Sequence, residues 1–442
     1  MRIAAAALVA ALLAGLSVEA DIVVYTRPEV PRQETLQRLG LKRRWHVYLP
    51  MNGLRDGIGS ISVSDGQLIA QTMGGSVIVL DGETGATAWR ANLGLTYRGV
   101  SQYLATNPRM VFIVSGSKLY GMERATGVRE WTYDLSGALT AAPAADLEWA
   151  YLCTGDGRLH AYLLPGPLRE QPPPEPAAKP GKPVSPRSSY AAGSPTLSPY
   201  LRPALRTPQA MWQFQTDGVI HQTPALTATH VVIADSRGEL YSLQREQRAL
   251  ADRFPSRAPI TAPFGQVGES LYVASQDYNV YAFDVILGKL VLRWRFVTGG
   301  QVVKKPMPIG DELYVVGEGR GLICLDRHTG ALLWRTPGLD RFLAASRRMV
   351  FAADSRGRVV VLDRQRGRPM GTLDTRDFAV LVPNDVTDRL YLANHDGLVV
   401  CLSDLDPTHD QPVYHNRPRE PEKPKPDTGA KPAEPDKPGD NK

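Results

Sequence analysis

Lys304 and Lys305 stand side by side after Val302-Val303, and Arg364, Arg366 and Arg368 alternate through one short stretch. At these two places cationic groups are close enough together to hold a ligand or a partner. Successive side chains of a strand leave on opposite faces, so if the lysines sit in an innermost strand, one of them can enter a central channel while the other points away. The arginines belong to a wider asymmetry: from Arg341 to Arg376 there are nine arginines against three aspartates, within a chain of formal net charge +6. Such a cluster suits acidic protein, anionic lipid or another polyanion; the plainer reading is a solvated turn.

Covalent and metal chemistry has less to work with. Cys153, Cys324 and Cys401 are far apart in the sequence, and three thiols do not make a disulfide framework. Their surroundings are aliphatic, so they read as small buried hydrophobes. The eight histidines are scattered without metal-ligand spacing, and no HExxH, EF-hand loop, nucleophile elbow or phosphate loop is present. Asp81, Glu123, Asp284, Asp326 and Asp363 recur at one point of a repeat, which turn structure explains. No residue is nominated as catalytic, cofactor-binding or metal-binding.

The elements that must position these groups come from the repeat itself. VIVLDGETGATAW ends on Trp89 and LYGMERATGVREW on Trp131, 42 residues later; LYVASQDYNVYAFDVILGKLVLRW ends on Trp294 and LYVVGEGRGLICLDRHTGALLW on Trp334, 40 residues later. A period of about 40 to 50 with alternating apolar strands marks the four-stranded blades of a propeller. Gly157, Gly238, Gly357 and Gly397 fall at matching hairpin turns, where a residue must tolerate positive φ. Trp45, Trp89, Trp131, Trp212, Trp294 and Trp334 supply large rings to dock each outer strand on its neighbour.

The expected fold is all-β: an eight-bladed β-propeller of four-stranded antiparallel blades over residues 41–405. After LYLANHDGLVVCLSDL the last blade lacks a fourth strand, and LKRRWHVYLP near the N-terminus carries the orphan Trp45. That N-terminal strand is expected to complete the final blade, closing the ring and leaving no open sheet edge between first and last blades. A Pro-rich insertion at about residues 165–207 interrupts one blade. Residues 406–442 form a tail of Pro, Lys, Glu and Asp with almost no aliphatics, expected to be disordered.

Residues 1–20 read as a signal peptide: Met1-Arg2, an apolar run from Ile3 to Leu16, then Val18-Glu19-Ala20. The run is short for a membrane span. Residues 21–40 form a lead-in, and the mature chain is expected to be periplasmic or extracellular, monomeric, without a transmembrane segment and without a nucleic-acid partner.

The repeated acidic residue, Thr-Gly and Trp resembles the tryptophan-docking repeat of the pyrroloquinoline quinone (PQQ) dehydrogenase-like propeller superfamily. In blade number, signal peptide and length the chain looks most like the BamB family, propeller subunits of the outer-membrane β-barrel assembly machinery. The resemblance implies a non-catalytic scaffold that binds protein partners in the cell envelope, with no cofactor. The same blades carry quinoprotein oxidoreductases, and the alternative is a PQQ-dependent enzyme with calcium, or a sensor with a ligand in its channel. Those enzymes press a vicinal disulfide on the quinone, and no two cysteines are adjacent here. The run Leu13-Ala14-Gly15-Leu16 also lacks the cysteine that a lipoprotein of the assembly machinery would acylate.

Overall fold

A computed structural model of the chain describes residues 29–51, 56–94, 103–166, 206–406 and 411–416. The expected signal peptide, nearly all of the Pro-rich insertion and the tail beyond residue 416 lie outside the described residues. Alternation of apolar side chains produces short strands that, apart from the first strand of the chain, pair with their sequence neighbours, giving eight four-stranded antiparallel sheets. Blade 1 consists of Ile58–Ser64, Gln67–Thr72, Ser76–Asp81 and Thr87–Asn92. Blades 2 to 7 follow at 104–134, 144–215, 225–255, 265–297, 307–336 and 339–373.

Blade 8 takes three strands from 380–404 and its fourth from Leu41–Tyr48, which runs antiparallel to Leu398–Asp404 with Trp45 opposite Cys401. The ring is therefore closed by hydrogen bonds between the two ends of the propeller, as the unpaired Trp45 implied. First strands touch first strands of adjoining blades, so they surround the axis. The apolar clusters lie between blades: one joins Tyr272, Ala282 and Trp294 of blade 5 to Leu313, Ile323 and Leu325 of blade 6. Antiparallel order puts the turns after first and third strands on one face, here called the turn face. The turns after second strands and the connections between blades lie on the other.

The tryptophans dock as a periodic device. The indole Nε1 of Trp45, Trp89, Trp212, Trp294 and Trp334 donates to the backbone carbonyl of Gly82, Arg124, Arg245, Arg327 and Arg364 in the next blade, at 2.8–3.1 Å. The glycine of the Thr-Gly turn makes room for the ring. At Gly330, with φ of +73°, a Cβ would lie 2.6 Å from the Trp294 indole, so only glycine fits there. Gly85, Gly127 and Gly367 stand the same way over Trp45, Trp89 and Trp334. Trp131 breaks the pattern: its Nε1 is buried without an acceptor.

Two blades have no tryptophan at this position. Blade 4 has Asp252, opposite Ser242, whose carboxylate accepts the Leu290 amide of blade 5 at 2.8 Å. Blade 7 has Gly371, opposite Val361. A short helix, α1 (Gln33–Arg38), precedes the closing strand and buries Leu36 in the core shared by blades 7 and 8. Leu39 then fills the space over Gly371, where a Cβ would come within 2.3 Å of Leu39 Cδ2. The lead-in thus packs against the ring.

Candidate interaction surface

The residue after the acidic turn residue has a second job. Its carbonyl takes the indole proton, and where it is arginine its side chain turns back into the seam between blades. Arg124 Nη1 reaches Asp65 of blade 1 at 2.9 Å and the Asn107 carbonyl at 3.1 Å, with Nε on Gln67 at 2.9 Å. Arg245 pairs with Asp146 of blade 3, donates to the Thr227 carbonyl and lies over the Tyr151 ring. Burial lowers its pKa. Arg364 Nε reaches Glu312 of blade 6 at 2.8 Å and its Nη1 the Ser346 carbonyl at 2.7 Å. Charge-assisted bonds of this kind hold adjacent blades in register.

The three arginines singled out in the sequence therefore do not form one surface group. Arg364 is mostly buried and satisfied by Glu312; burial works against its charge, and the neighbouring Tyr314 and Glu312 more than offset that, raising its pKa. Arg366 and Arg368 are exposed on the turn face, and these two remain available to a partner. Arg124, Arg245 and Arg327 were not singled out, although all follow the same turn position as Arg364. The recurrent Arg after the strand-ending residue was the signal.

The lysines are placed differently from the expectation. The first strand of blade 6 is only Met307–Ile309, preceded by Pro306. Lys304 and Lys305 lie before it, in the connection from blade 5, so strand alternation does not govern them. Each meets an acid. Lys304 pairs with Asp340 Oδ2 at 3.5 Å and also donates to the Asp340 carbonyl, while Lys305 meets Asp385 Oδ2 at 2.5 Å. Burial pushes the Asp385 carboxyl up, and the Lys305 ammonium more than offsets this, leaving it below the usual aspartate value. Both ammonium groups are thus engaged by this chain's own carboxylates.

Residues 411–416, assigned in the sequence to the tail, run across the turn face. The Val413 amide donates to Asp388 at 3.0 Å, Tyr414 bridges to Thr387, the His415 amide donates to the Val386 carbonyl, and His415 Nε2 lies 3.0 Å from the Ala345 carbonyl of blade 7. Asn416 donates to the Pro308 carbonyl of blade 6 at 2.7 Å and accepts from the Gly310 amide. This strap ties blade 8 to blades 7 and 6. Between blades 3 and 4 on the same face opens a cleft of about 450 Å³ lined by Asp146, Trp149, Thr229, Arg245 and Glu246.

Large apolar side chains are exposed along the rim of blades 4 to 6: Leu250, Ile286, Val291, Leu332 and, at 91% exposure, Leu287. Leu287 also has φ of +50°, a conformation that costs a γ-branched residue energy. The described cysteines cannot form the vicinal disulfide that quinoprotein enzymes press on their cofactor. Cys153, Cys324 and Cys401 are free and buried in three different blades, and no group of three or more His, Cys, Asp or Glu among the described residues is placed to hold a metal. Nor is any helix among them long and apolar enough to cross a membrane.

Comparison with known proteins agrees with this architecture. No curated protein sequence matches the chain. The crystal structure of BamB from Moraxella catarrhalis superposes with a TM-score of 0.57 at 19% identity, covering 82% of this chain and 97% of that one. The computationally designed Ika8 protein superposes at 0.53 with 12% identity, over 79% and 97%. At such identities the structures speak for the fold. The family profile described as Outer membrane protein assembly factor BamB matches residues 34–251 and 205–405, end to end across the propeller, and the chain belongs to that family.

Proposed function

We propose that the chain is an exported, non-catalytic propeller that presents its faces to protein partners during outer-membrane protein assembly, without a cofactor. The observation that carries this reading is the family match across residues 34–405, which comes from a family whose description names that process. Three features support it. The seams are locked by tryptophans and arginines, so the ring suits a rigid platform; among the described residues the cysteines are buried and the acids dispersed; and apolar side chains are exposed along one rim. Residues 1–20 supply the export signal in this reading.

The test is crosslinked co-purification of the tagged protein from its host's envelope, with partners identified by mass spectrometry. Recovery of outer-membrane assembly components, absent from a mock-tagged control, is the expected result. Reproducible recovery of none overturns the scaffold reading. Titration with PQQ and Ca²⁺, followed by absorbance and dye-linked alcohol oxidation, then decides whether the quinoprotein alternative replaces it.

A further inference from the structure

At the seam between blades 5 and 6 an arginine lacks the acceptors its sisters have, the nearby Asp284 being engaged by Ser270 and Arg293. Arg327 occupies the position of Arg124, Arg245 and Arg364: its carbonyl takes the Trp294 indole proton at 3.0 Å and its amide donates to Asp311. Its Nε and Nη1 are buried, and neither has an acceptor. The sister seams show what is missing. In blade 1 the turn Asp65-Gly66, flanked by the pair Ser64 and Gln67, supplies both side chains that hold Arg124.

In blade 5 the equivalent turn is Gly268-Glu269, flanked by Val267 and Ser270. Gly268 replaces the aspartate, and a Cβ there would meet nothing within 4 Å. Ser270 replaces the glutamine and donates instead to Asp284 of its own blade at 2.7 Å. Glu269 points the other way, accepting the Ala228 amide of blade 4 at 2.9 Å. A guanidinium with buried, unpaired donors is costly, and the fold's own repeats show that this slot accepts a carboxylate.

We propose that the blade 5–6 seam is a docking site for an acidic residue of a protein partner, held by Arg327 and flanked by aliphatic side chains that bind on the outer-strand residues Val291, Leu292, Leu332 and Leu333. All four are exposed, and Leu332 and Leu333 belong to the hairpin that begins at Arg327. The partner segment is therefore an acid set among apolar residues, with the arginine as anchor and the outer strands as apolar surround. The described C-terminal residues reach Asn416, which bonds Pro308 and Gly310 of blade 6, and the sequence beyond it carries Glu420 and Glu422. That sequence has no aliphatic residue larger than alanine, so it lacks the apolar part of the partner segment. The inference rests on the scaffold reading and specifies its partner.

The probe is a fluorescent acetyl-Leu-Leu-Asp-Leu-Leu-amide peptide, with its Asn counterpart as control, titrated by anisotropy into the full mature chain. Saturable binding is expected, weakened about tenfold or more by the Asn peptide and by Arg327→Gln, since truncating one partner of a buried charge pair is expensive. Gly268→Asp copies the blade 1 turn, where Asp65 itself has φ of +43°, and neutralises the arginine without removing it. It should abolish peptide binding and raise the melting temperature by about 1–3 °C, a gain lost when combined with Arg327→Gln. Binding indifferent to Arg327→Gln or to Asp→Asn overturns the site. So does a tenfold rise in peptide affinity on deleting residues 417–442, which would make the tail the occupant. In the co-purification, assembly components captured equally by Arg327→Gln leave the scaffold reading standing and remove this site. Arginine-dependent peptide binding with no assembly component captured does the reverse.

Discussion

Leu39 stands over Gly371 where six of the eight blades place a tryptophan, so a residue outside the repeat completes the packing of blade 7. The relationship is steric and reciprocal. Gly371→Ala puts a Cβ 2.3 Å from Leu39 Cδ2; that methyl is the end of a flexible, half-buried side chain that can swing aside, so the cost should stay at or below about 1 kcal/mol. Leu39→Ala alone should cost about 1–2 kcal/mol, since the side chain is only partly buried. In the double variant the clash is gone, and urea denaturation should show a combined loss smaller than the sum of the two. Additive losses would mean that the helix end does not fill the tryptophan site.

The tryptophans make a paired comparison possible. Trp89→Phe removes an indole that donates to the Arg124 carbonyl at 2.8 Å and leaves that buried acceptor short of one partner. Trp131→Phe removes an indole with no acceptor. The first substitution should therefore cost about 1 kcal/mol more than the second, measured as the difference in unfolding free energy. Equal costs would show that the hydrogen bond adds nothing to docking.

Much of this was legible in the sequence, for a physical reason. Strand alternation, the positive-φ glycines at 157, 238, 357 and 397 and the docking tryptophans are local rules, and the repeat states them several times over. Cys324 and Cys401, read as small buried hydrophobes, are buried opposite Trp334 and Trp45. What escaped depends on distance along the chain. Lys305 meets Asp385 across 80 positions, and Arg364 meets Glu312 across 52. No spacing rule anticipates such contacts, and a first strand of three residues is too short for alternation to be read. Leu39 escaped for the opposite reason: it lies outside the repeat, so the repeat could not point to it.

The division of the arginine cluster has a direct consequence. Arg364→Ala leaves Glu312 half-buried beside Tyr314 without its cation, which should cost about 2–4 kcal/mol. Arg366→Ala and Arg368→Ala touch exposed side chains and should stay within about 0.5 kcal/mol of the parent. If these two contribute to a docking surface, their variants will show weaker partner capture at unchanged thermal stability. A stability loss at Arg366 or Arg368 comparable to that at Arg364 would contradict the assignment.

The strap is expected to respond to pH through His415. Burial, reinforced by the nearby Arg364 charge, pushes its pKa down to about 4; Asp385 and the hydrogen bond to the Ala345 carbonyl act in the opposite direction without offsetting it. An imidazole released to solvent titrates near 6.5. Because the docked value is the lower one, the docked strap binds fewer protons than the detached one. Docking is then at full strength above about pH 6.5, weakens as the pH falls, and loses up to about 2–3 kcal/mol by the time the docked group itself titrates near 4. Hydrogen exchange should show the His415 amide, which donates to the Val386 carbonyl at 2.8 Å, opening between pH 6.5 and 4 while the amides of the closing strand Leu41–Tyr48 stay protected. His415→Gln retains a donor for the Ala345 carbonyl without a titrating group, and should flatten this dependence. The same pH-dependent opening in that variant would place the sensitivity elsewhere, with Asp388, whose carboxyl burial holds above its usual range, as the next group to replace.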